Sequence, residues 1–365
     1  MAENIKTFIS GDAMIGGEVF KKAWNKYLGS YGDAYVYDWE TDWDKLQYRR
    51  LEIEKRGPEI EEPVKEVIMC GADKDVFLGL FVPVSSKLMD AMPNLKLIGV
   101  SRAGLENVNV EDATKRGIAV FNVQGRNAHA VSDFAVGMML AECRNIARAH
   151  YAIKNGTWRK TFVNSDYIPE MREKTVGIVG FGHIGRLVAQ KLSGFNVKIL
   201  VYDPYTSKEA IADAGCEKAE LEQLFSQSDF ITLHARLTED NKKMIGKKEI
   251  SLMKPTAYFI NTSRAGLVDQ DALAEALESK SIMGAALDVF TTEPIDESSR
   301  FLTLDNVTLT SHLAGTTADA LANSPYLLCE DILKLFEDKG PRYFVNKEVL
   351  QNKEFIKWLE KLRNI

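Results

Sequence analysis

The sequence contains little cysteine, histidine or proline. Its 365 residues include 4 cysteines, 5 histidines and 10 prolines. The cysteines lie far apart and form no C-x-x-C pair, which excludes a disulfide scaffold and indicates small, buried thiols in a reducing compartment. Neither cysteines nor histidines have the spacing of zinc ligands, so we expect no metal site. The cysteines are Cys70, Cys143, Cys216 and Cys329.

The chain also lacks an excess of positive charge. It has 46 basic and 52 acidic residues and a net charge of −6, whereas nucleic-acid-binding proteins are more often basic with clustered Lys and Arg. No apolar run approaches the ~20 residues needed to cross a membrane. The N-terminus has no basic-then-apolar signal pattern. We therefore expect a cytoplasmic protein that binds neither nucleic acid nor membrane.

Hydrophobic residues make up 45% and charged residues 27% of the chain, which is typical of a globular protein. Short apolar runs alternate with amphipathic stretches, a pattern that predicts βαβ units and parallel sheets. The runs form two sets, and so predict two α/β domains. The first set is 7–10, 34–38, 66–70, 76–82, 97–100 and 118–121. The second set is 175–179, 197–202, 230–233, 257–260, 283–289 and 307–310.

Three further segments have a helical pattern. Residues 127–151 are predicted to form one long helix, and its middle, 134–141, is apolar on every face. Such a helix is either a central core helix or a hinge or subunit contact. Residues 316–338 form a helical segment in which Pro325 predicts a kink or break. The tail 355–362 is predicted to be an amphipathic helix that docks on another surface.

A G-x-G-x-x-G motif begins directly after the predicted strand 175–179 and is followed by a helical pattern. Gly180 permits a tight turn, Gly182 lets the backbone approach a pyrophosphate, and Gly185 lets helix and strand pack closely. The helix N-terminus favours negative charge. The motif therefore predicts a dinucleotide site, and we place His183 beside the pyrophosphate or, alternatively, in solvent.

Asp203 ends the next predicted strand and follows Gly185 by 18 residues. An acidic residue at about this spacing accepts hydrogen bonds from the ribose hydroxyls of the cofactor. Its charge would repel a 2′-phosphate, so we expect NAD rather than NADP.

Polar stretches follow three later strands, where side chains at the strand ends face a ligand crevice. These stretches, together with three shorter motifs, resemble the D-isomer-specific 2-hydroxyacid dehydrogenases, in particular the phosphoglycerate dehydrogenase-like branch. The resemblance covers roughly residues 65–345. The polar stretches are 261–269, 286–294 and 309–315, and the shorter motifs are 102–104, 113–118 and 252–255.

The resemblance implies a catalytic trio that falls on Arg264, Glu293 and His312. Arg264 offers a planar fork of donors for a substrate carboxylate. His312 can exchange a proton with the substrate oxygen. Glu293 would hydrogen-bond the other ring nitrogen, orient the ring and favour its protonated form.

Further site residues follow from the same resemblance. Asp288 matches the residue that accepts a hydrogen bond from the nicotinamide carboxamide. The backbone of Ala103 and Gly104 matches a second carboxylate grip, beside Arg264. We interpret the remaining histidines, His129, His150 and His234, as structural. The full set of expected cofactor-binding residues is Gly180, Gly182, His183, Ile184, Gly185, Asp203, Ala235, Arg236, Thr262, Ser263, Asp288 and Gly315.

The chain departs from the family pattern on the substrate side. The segment 101–108 is about two residues shorter than the usual loop, and 81–86 replaces an Arg-Ser-Xaa-Thr type of sequence. Asp133 stands where the family usually has Glu. Residues 1–64 show little similarity. The motifs therefore predict the chemistry but do not name the substrate.

We thus expect two Rossmann-like or flavodoxin-like α/β domains with parallel sheets and a cleft between them. Residues 1–125 and 317–365 would form a discontinuous substrate-binding domain, and 126–316 the NAD-binding domain. The expected reaction interconverts a D-2-hydroxy acid and its 2-oxo acid, and the resemblance implies a homodimer formed by the nucleotide domains. Two alternatives remain: formate dehydrogenase, whose pattern has Gln at the position of Glu293, and a non-enzymatic, NAD-binding corepressor of the same fold.

Overall fold

The computed structural model describes residues 4–363. The chain divides into two compact units, Met1–Arg126 with Thr317–Ile365, and Asn127–Thr316. The outer ends of the predicted first domain, residues 1–3 and 364–365, lie outside the described residues. Each unit is built on a parallel sheet, and each is described by itself below.

The first unit has a five-stranded sheet in the order β2-β1-β3-β4-β5, and all of its strand pairs are parallel. The strand order changes direction between β1 and β3, because β2 lies on one side of β1 and the later strands lie on the other. The strands are β1 (Ile5–Asp12), β2 (Gly32–Glu40), β3 (Val76–Gly79), β4 (Leu97–Val100) and β5 (Ala119–Asn122). The helices between them are α1 (Gly17–Tyr27), α2 (Trp43–Arg56), α3 (Lys65–Cys70), α4 (Ser86–Asp90) and α5 (Val110–Lys115).

The second unit has a seven-stranded parallel sheet in the order β12-β11-β10-β9-β6-β7-β8. The strands are β6 (Thr175–Val179), β7 (Lys198–Tyr202), β8 (Glu217–Lys218), β9 (Phe230–Leu233), β10 (Tyr258–Asn261), β11 (Gly284–Leu287) and β12 (Val307–Leu309). The helices are α6 (Ala128–Cys143), α7 (Ile146–Lys154), α8 (His183–Leu192), α9 (Lys208–Ala212), α10 (Leu221–Gln227), α11 (Lys247–Ser251) and α12 (Gln270–Glu278). The chain then returns to the first unit with α13 (Ala318–Phe336) and α14 (Lys353–Arg363).

Both faces of each sheet are covered by apolar side chains, as expected for parallel sheets. In β1, Ile9 packs on one face with Trp24 and Leu328. Phe8 points to the other face and stacks on Phe77, with ring centroids 5.7 Å apart. The α/β architecture with two parallel sheets confirms the predicted fold class.

Most predicted strands are present, but the apolar run 66–70 is wrong as a strand, because it forms the short helix α3. Only Val67 of this helix is buried in the core, while Ile68 and Met69 are exposed. A short apolar run alone does not distinguish a strand from a helix. Cys70 at the end of α3 is half-buried, whereas the other three cysteines are buried.

The predicted long helix 127–151 is two helices, α6 and α7. Asn145 between them adopts a left-handed conformation with φ 58°, which ends the regular helical path. The middle of α6 is not buried on every side, since Gly137 is exposed and Phe134, Val136 and Leu140 are only partly buried. An apolar sequence predicts burial only where the fold supplies a covering surface. In this single chain, the middle of α6 is covered only in part.

The two C-terminal segments behave differently from each other. Helix α13 continues through Pro325 without a break, since its buried face packs against α1 and offsets the lost backbone hydrogen bond. The tail forms the amphipathic helix α14, as predicted. Its buried residues Phe355, Leu359 and Leu362 join the core of the first unit.

A buried ion pair holds the α6–α7 corner. Arg148 donates to the carboxylate of Glu142 and, at 3.0 Å, to its backbone oxygen. Thr308 on β12 donates to the same carboxylate at 2.6 Å. Burial raises the pKa of Glu142, while the charge of Arg148 and the hydrogen bond from Thr308 act in the opposite direction. The pair therefore ties the corner to the edge strand of the sheet.

We expect Arg148→Met to lower the free energy of unfolding by about 3–5 kcal/mol at neutral pH, because it leaves Glu142 buried and unpaired. The loss should shrink at acidic pH, since the variant's Glu142 can then take up a proton. Urea denaturation of the wild type and the variant measures both effects. Arg159→Met is the control, because Arg159 pairs with Asp305 at the surface and should contribute about 0–1 kcal/mol. Equal losses in the two variants would contradict this account.

Candidate active site and dinucleotide-binding loop

The glycine motif joins β6 to α8 in a conformation that requires glycine. Gly180 has φ +93°, and a Cβ there would overlap the backbone of Ala235 after β9. A Cβ at Gly185 would overlap the carbonyl oxygen of Gly180. In contrast, Gly182, the N-cap of α8, has no atom within 4 Å of a Cβ position. The loop is therefore tight on its protein side and open above Gly182.

This loop lies where the order of the seven-stranded sheet reverses, between β6 and β9. Ligands of open α/β sheets bind at the carboxyl ends of the strands at such a point. The first turn of α8, with His183 and Ile184, begins there, and its amide groups have no intrahelical acceptor. The ring of His129 on α6 lies 6.4 Å from that of His183, edge to face. Sequence reasoning treated His129 as structural, because no motif signals this approach.

Asp203 is placed at the end of β7, as expected, but it also orders the glycine loop. Its Oδ2 accepts a hydrogen bond from the backbone N–H of Phe181 at 2.6 Å. Its Oδ1 accepts from the N–H groups of Tyr205 and Thr206, at 2.8 and 2.9 Å. A carboxylate has about four acceptor positions. Asp203 thus retains limited capacity for a ribose hydroxyl.

The other expected cofactor residues lie at strand ends of the same sheet. Thr262 follows β10, and its buried hydroxyl has no hydrogen-bond partner within residues 4–363. Arg236 follows β9 and is exposed. A Cβ at Gly315 would overlap the side-chain amide of Asn127. The open space at Gly182 and the orphaned hydroxyl of Thr262 fit a bound dinucleotide.

Glu293 and His312 form a hydrogen-bonded pair. Glu293 Oε2 lies 2.7 Å from His312 Nδ1, and its Oε1 accepts from the backbone N–H of Phe290 at 2.9 Å. Partial burial raises the pKa of Glu293, but the hydrogen bonds from His312 and Phe290 and the charges of His312 and Arg264 outweigh it and hold the pKa below its usual value. Glu293 therefore stays ionised, and the ring keeps Nε2 for another partner.

Arg264 is held in an exposed position after β10 by an asparagine that sequence reasoning missed. Asn261 Oδ1 accepts from the backbone N–H of Ser263 at 3.0 Å, and its Nδ2 donates to the carbonyl of Arg264 at 3.1 Å. The guanidinium of Arg264 donates to the Ser263 carbonyl at 2.7 Å. The charge of Arg264 also acts on Glu293. The signal for Asn261 in the sequence was its position as an asparagine at the end of a predicted strand.

Asp288 holds the loop that carries His312. Its Oδ1 accepts from the hydroxyl of Thr310 at 2.6 Å and from the N–H of Leu313 at 2.8 Å, and its Oδ2 accepts from the N–H of Ala314 at 2.9 Å. His312 itself has φ 56°, which is uncommon for a residue other than glycine. We expected Asp288 to accept a hydrogen bond from the nicotinamide carboxamide. The His312 loop already occupies most of the acceptor positions of the Asp288 carboxylate.

Ala103 and Gly104 lie in the first unit. Their segment follows β4, and the Ala103 carbonyl accepts from Asn122 Nδ2 at 2.6 Å. The backbone N–H groups of Ala103 and Gly104 donate no hydrogen bond within the described part of the chain. They are therefore available to an acceptor such as a carboxylate.

Comparison with known proteins identifies the family of this chain. Residues 136–314 match the family model of the D-isomer specific 2-hydroxyacid dehydrogenase NAD-binding domain. A glyoxylate reductase of Thermofilum pendens is 37% identical over 305 residues, which are 82% of this chain and 88% of that protein. The chain belongs to the D-isomer specific 2-hydroxyacid dehydrogenase family. It is an oxidoreductase of the kind that acts on CH–OH groups and contains an NAD-binding domain.

Other relatives carry different names. A hydroxypyruvate reductase of Thermotoga maritima is 40% identical over 253 residues, 69% of this chain and 81% of that protein. A D-3-phosphoglycerate dehydrogenase of Archaeoglobus fulgidus is 34% identical over 86% of this chain and 58% of that protein. The chain is thus similar to family members that are named for different substrates.

Solved structures show the same fold. The structure of D-2-hydroxyisocaproate dehydrogenase matches with a TM-score of 0.72 at 24% identity and covers 93% of this chain and 99% of that one. The apo structure of D-lactate dehydrogenase from Escherichia coli matches with a TM-score of 0.65 at 24% identity, with the same coverage. Within residues 4–363, no helix is long and apolar enough to cross a membrane.

We expect Gly182→Ala to weaken binding of the reduced dinucleotide cofactor without lowering thermal stability, because the new Cβ points into the open space where a pyrophosphate would lie. Gly180→Ala should lower both the cofactor affinity and the thermal stability, since its Cβ would overlap the backbone of Ala235 and its φ is positive. Cofactor fluorescence and thermal unfolding measure the two effects. Gly194→Ala is the control, because its Cβ also meets open space, away from the loop. Unchanged cofactor affinity in Gly182→Ala would contradict the placement.

Proposed function

We propose that this protein interconverts a D-2-hydroxy acid and its 2-oxo acid, with Arg264, Glu293 and His312 as the catalytic residues. The hydrogen-bonded Glu293–His312 pair, whose carboxylate also feels the charge of Arg264, is the observation that carries this proposal. The three residues follow β10, β11 and β12, which are neighbours in the sheet. They are therefore well placed to act on one small substrate.

The three residues divide the work on the 2-oxo acid. The planar guanidinium of Arg264 binds the substrate carboxylate and polarises the oxo group. The cofactor, when bound, would supply the hydride for reduction at C2 and would accept it in oxidation. His312, through Nε2, gives a proton to the oxygen that becomes the hydroxyl, and it takes that proton back in oxidation. Glu293 fixes the ring through Nδ1 and stabilises its positive charge.

Binding of the cofactor is assigned to the loop around Gly182 and to the strand-end residues Asp203, Thr262, Ser263, Ala235 and Arg236. In the first unit, the free backbone N–H groups of Ala103 and Gly104 support a second grip on the substrate carboxylate. Asp288 keeps the His312 loop in place and offers any remaining acceptor capacity to the nicotinamide carboxamide.

A homodimer is the proposed assembly. Several large apolar side chains of the segment from α7 onward are exposed in the single chain, and this exposed apolar area supports an interaction surface there. The outer face of α6 is also partly exposed. We assign this surface to a second copy of the chain. The exposed residues are Ile146, Tyr151, Ile153, Trp158, Tyr167 and Ile168.

The four free thiols fit the reducing cytoplasm, which is the proposed location.

NAD is the proposed cofactor, and Asp203 is the residue that would select it. Wild-type kcat/KM should be higher with NADH than with NADPH, because the carboxylate repels a 2′-phosphate. Asp203→Asn removes the charge but keeps an acceptor oxygen. It should therefore bring the kcat/KM values with NADH and NADPH closer together. Asp213→Asn, at an exposed acid of the same unit, is the control. Equal kcat/KM for the two cofactors in the wild type would contradict this assignment.

The pH dependence of the reaction tests the acid–base pair. Reduction needs protonated His312 and oxidation needs the neutral ring, so reductive kcat/KM should fall as pH rises and oxidative kcat/KM should rise. Glu293→Gln removes the carboxylate that holds the ring through Nδ1, so reductive and oxidative kcat/KM should both fall. His312→Ala should slow both directions by roughly 10²–10⁴-fold.

The measurement is NADH oxidation across a panel of 2-oxo acids, followed against pH with the best of them. Glu297→Gln, at an exposed acid near Glu293, is the control and should leave the profile unchanged. Full activity in His312→Ala would contradict the assigned roles. A panel without any turnover would contradict the proposed reaction.

A further inference from the structure

The loop that carries Glu293, residues 289–293, has little support of its own. None of its residues takes part in a backbone–backbone hydrogen bond within the described part of the chain. Val289 is buried, but Thr291, Thr292 and Glu293 are exposed. A cavity of about 390 Å³ borders Thr291 and Thr292, so packing against the loop is incomplete. Contacts made by side chains must therefore decide the conformation of this loop.

Gln270, the first residue of α12, bridges the loop. Its Oε1 accepts hydrogen bonds from the backbone N–H of Thr291 at 3.1 Å and from the Thr291 hydroxyl at 2.7 Å, and its Nε2 donates to the Val289 carbonyl at 3.3 Å. In residues 4–363, no other side chain from outside the loop hydrogen-bonds its backbone. A side-chain amide carries a donor and an acceptor in one planar group, and this bridge uses both.

Phe290, the residue between the two bridged positions, connects Gln270 to the acid–base pair. The backbone N–H of Phe290 donates to Glu293 Oε1 at 2.9 Å. The other oxygen of that carboxylate, Oε2, lies 2.7 Å from His312 Nδ1. Because the carboxylate is planar and rigid, a displaced Phe290 amide would rotate it and alter its contact with the ring. The backbone that Gln270 holds therefore sets the orientation of Glu293.

The start of α12 gives Gln270 a fixed base. The backbone N–H of Asp269, the N-cap residue, donates to the Ile245 carbonyl at 2.9 Å, and the Asp269 side chain caps the helix. Leu273 and Leu277 bury the inner face of α12 in the core of the second unit. Gln270 itself is half-buried. A packed and capped helix moves less than an exposed loop, so the loop conforms to the position of Gln270.

We propose that Gln270 is a positioning residue for the acid–base pair. Its bridge fixes the backbone that orients Glu293, and Glu293 holds the ring of His312. This inference rests on the proposed function and adds to it a residue that no sequence motif indicated. Gln270 touches neither Glu293 nor His312 through a hydrogen bond, so it acts on proton transfer only through the loop and the carboxylate.

Gln270→Met removes the donor and the acceptor but keeps a side chain of similar length. It should lower kcat by roughly 3- to 10-fold in both directions, the range of a typical net hydrogen bond. KM for NADH should stay at the wild-type value, because the bridge lies on a different loop from the glycine motif. Steady-state assays with the best 2-oxo acid of the panel measure kcat and KM. Gln227→Met, at an exposed glutamine of α10, is the control and should change neither.

Two neighbouring threonines test the bridge from the side of the loop. Thr291→Val removes the hydroxyl that donates to Gln270 but keeps the backbone N–H, so kcat should fall by a smaller factor, roughly 2- to 3-fold. Thr292→Val is the matched control, because it makes the same change at an exposed threonine whose hydroxyl has no hydrogen bond in the described residues. Equal kcat values for the two variants would contradict the bridge.

A double-mutant cycle with Glu293→Ala separates positioning from general support of the fold. If Gln270 acts through the carboxylate, Gln270→Met should cause no further fall in kcat once Glu293→Ala has removed that carboxylate. If Gln270 only supports the second unit, Gln270→Met should lower kcat by the same factor in both backgrounds. The slow turnover of the Glu293→Ala proteins is measured at raised enzyme concentration, with the same 2-oxo acid.

Failures of the two proposals are distinguishable. Wild-type turnover with an unchanged kcat in Gln270→Met overturns the role of Gln270 and leaves the proposed function standing. An equal loss of kcat in both backgrounds of the cycle also overturns it. Absence of NADH oxidation with every 2-oxo acid overturns both proposals.

Two fallbacks keep the test decisive. If Gln270→Met fails to fold, as judged by circular dichroism, Thr291→Val takes its place in the cycle. If Glu293→Ala is too slow to assay, the kinetic constants of Gln270→Met decide: a lower kcat at unchanged KM for NADH supports the positioning role, and a KM for NADH that rises as much as kcat falls overturns it.

Discussion

Parallel pairing of β10, β11 and β12 is the constraint on which the candidate active site depends. In the hydrogen-bonded register, Asn261 lies beside Leu287, and Leu287 lies beside Leu309, so the three strands reach their carboxyl ends side by side. Each strand is followed by a loop that carries one reactive group. Residues far apart in the chain are thereby delivered to one edge of one sheet, without any long-range signal in the local sequence.

A second device fixes the loops themselves: a polar side chain at a strand end accepts hydrogen bonds from the backbone of the loop that follows or adjoins it. Asp203 does this for the glycine loop, Asn261 for the Arg264 loop and Asp288 for the His312 loop. Asp12 does the same at the first sheet. Because these acceptors are buried or half-buried, their hydrogen bonds are protected from water and restrict the loops that must meet a ligand.

The two sheets use their reversal points in different ways. In the second unit, glycines clear space for a ligand and a helix begins directly behind them. In the first unit, by contrast, the guanidinium groups of Arg102 and Arg50 pack on the ring of Phe81. The first arrangement fits the long, negatively charged dinucleotide.

The sequence by itself determined the fold class, most strands, the glycine motif and the family, because these depend on local periodicity and on short spacings. It predicted that Arg264, Glu293 and His312 act together only through the resemblance. Tertiary structure decided the rest. Asn145 splits α6 from α7, since a buried ion pair between Glu142 and Arg148 holds that corner. Asp288 serves the His312 loop, because hydrogen-bond partners are set by residues that meet only in the folded chain.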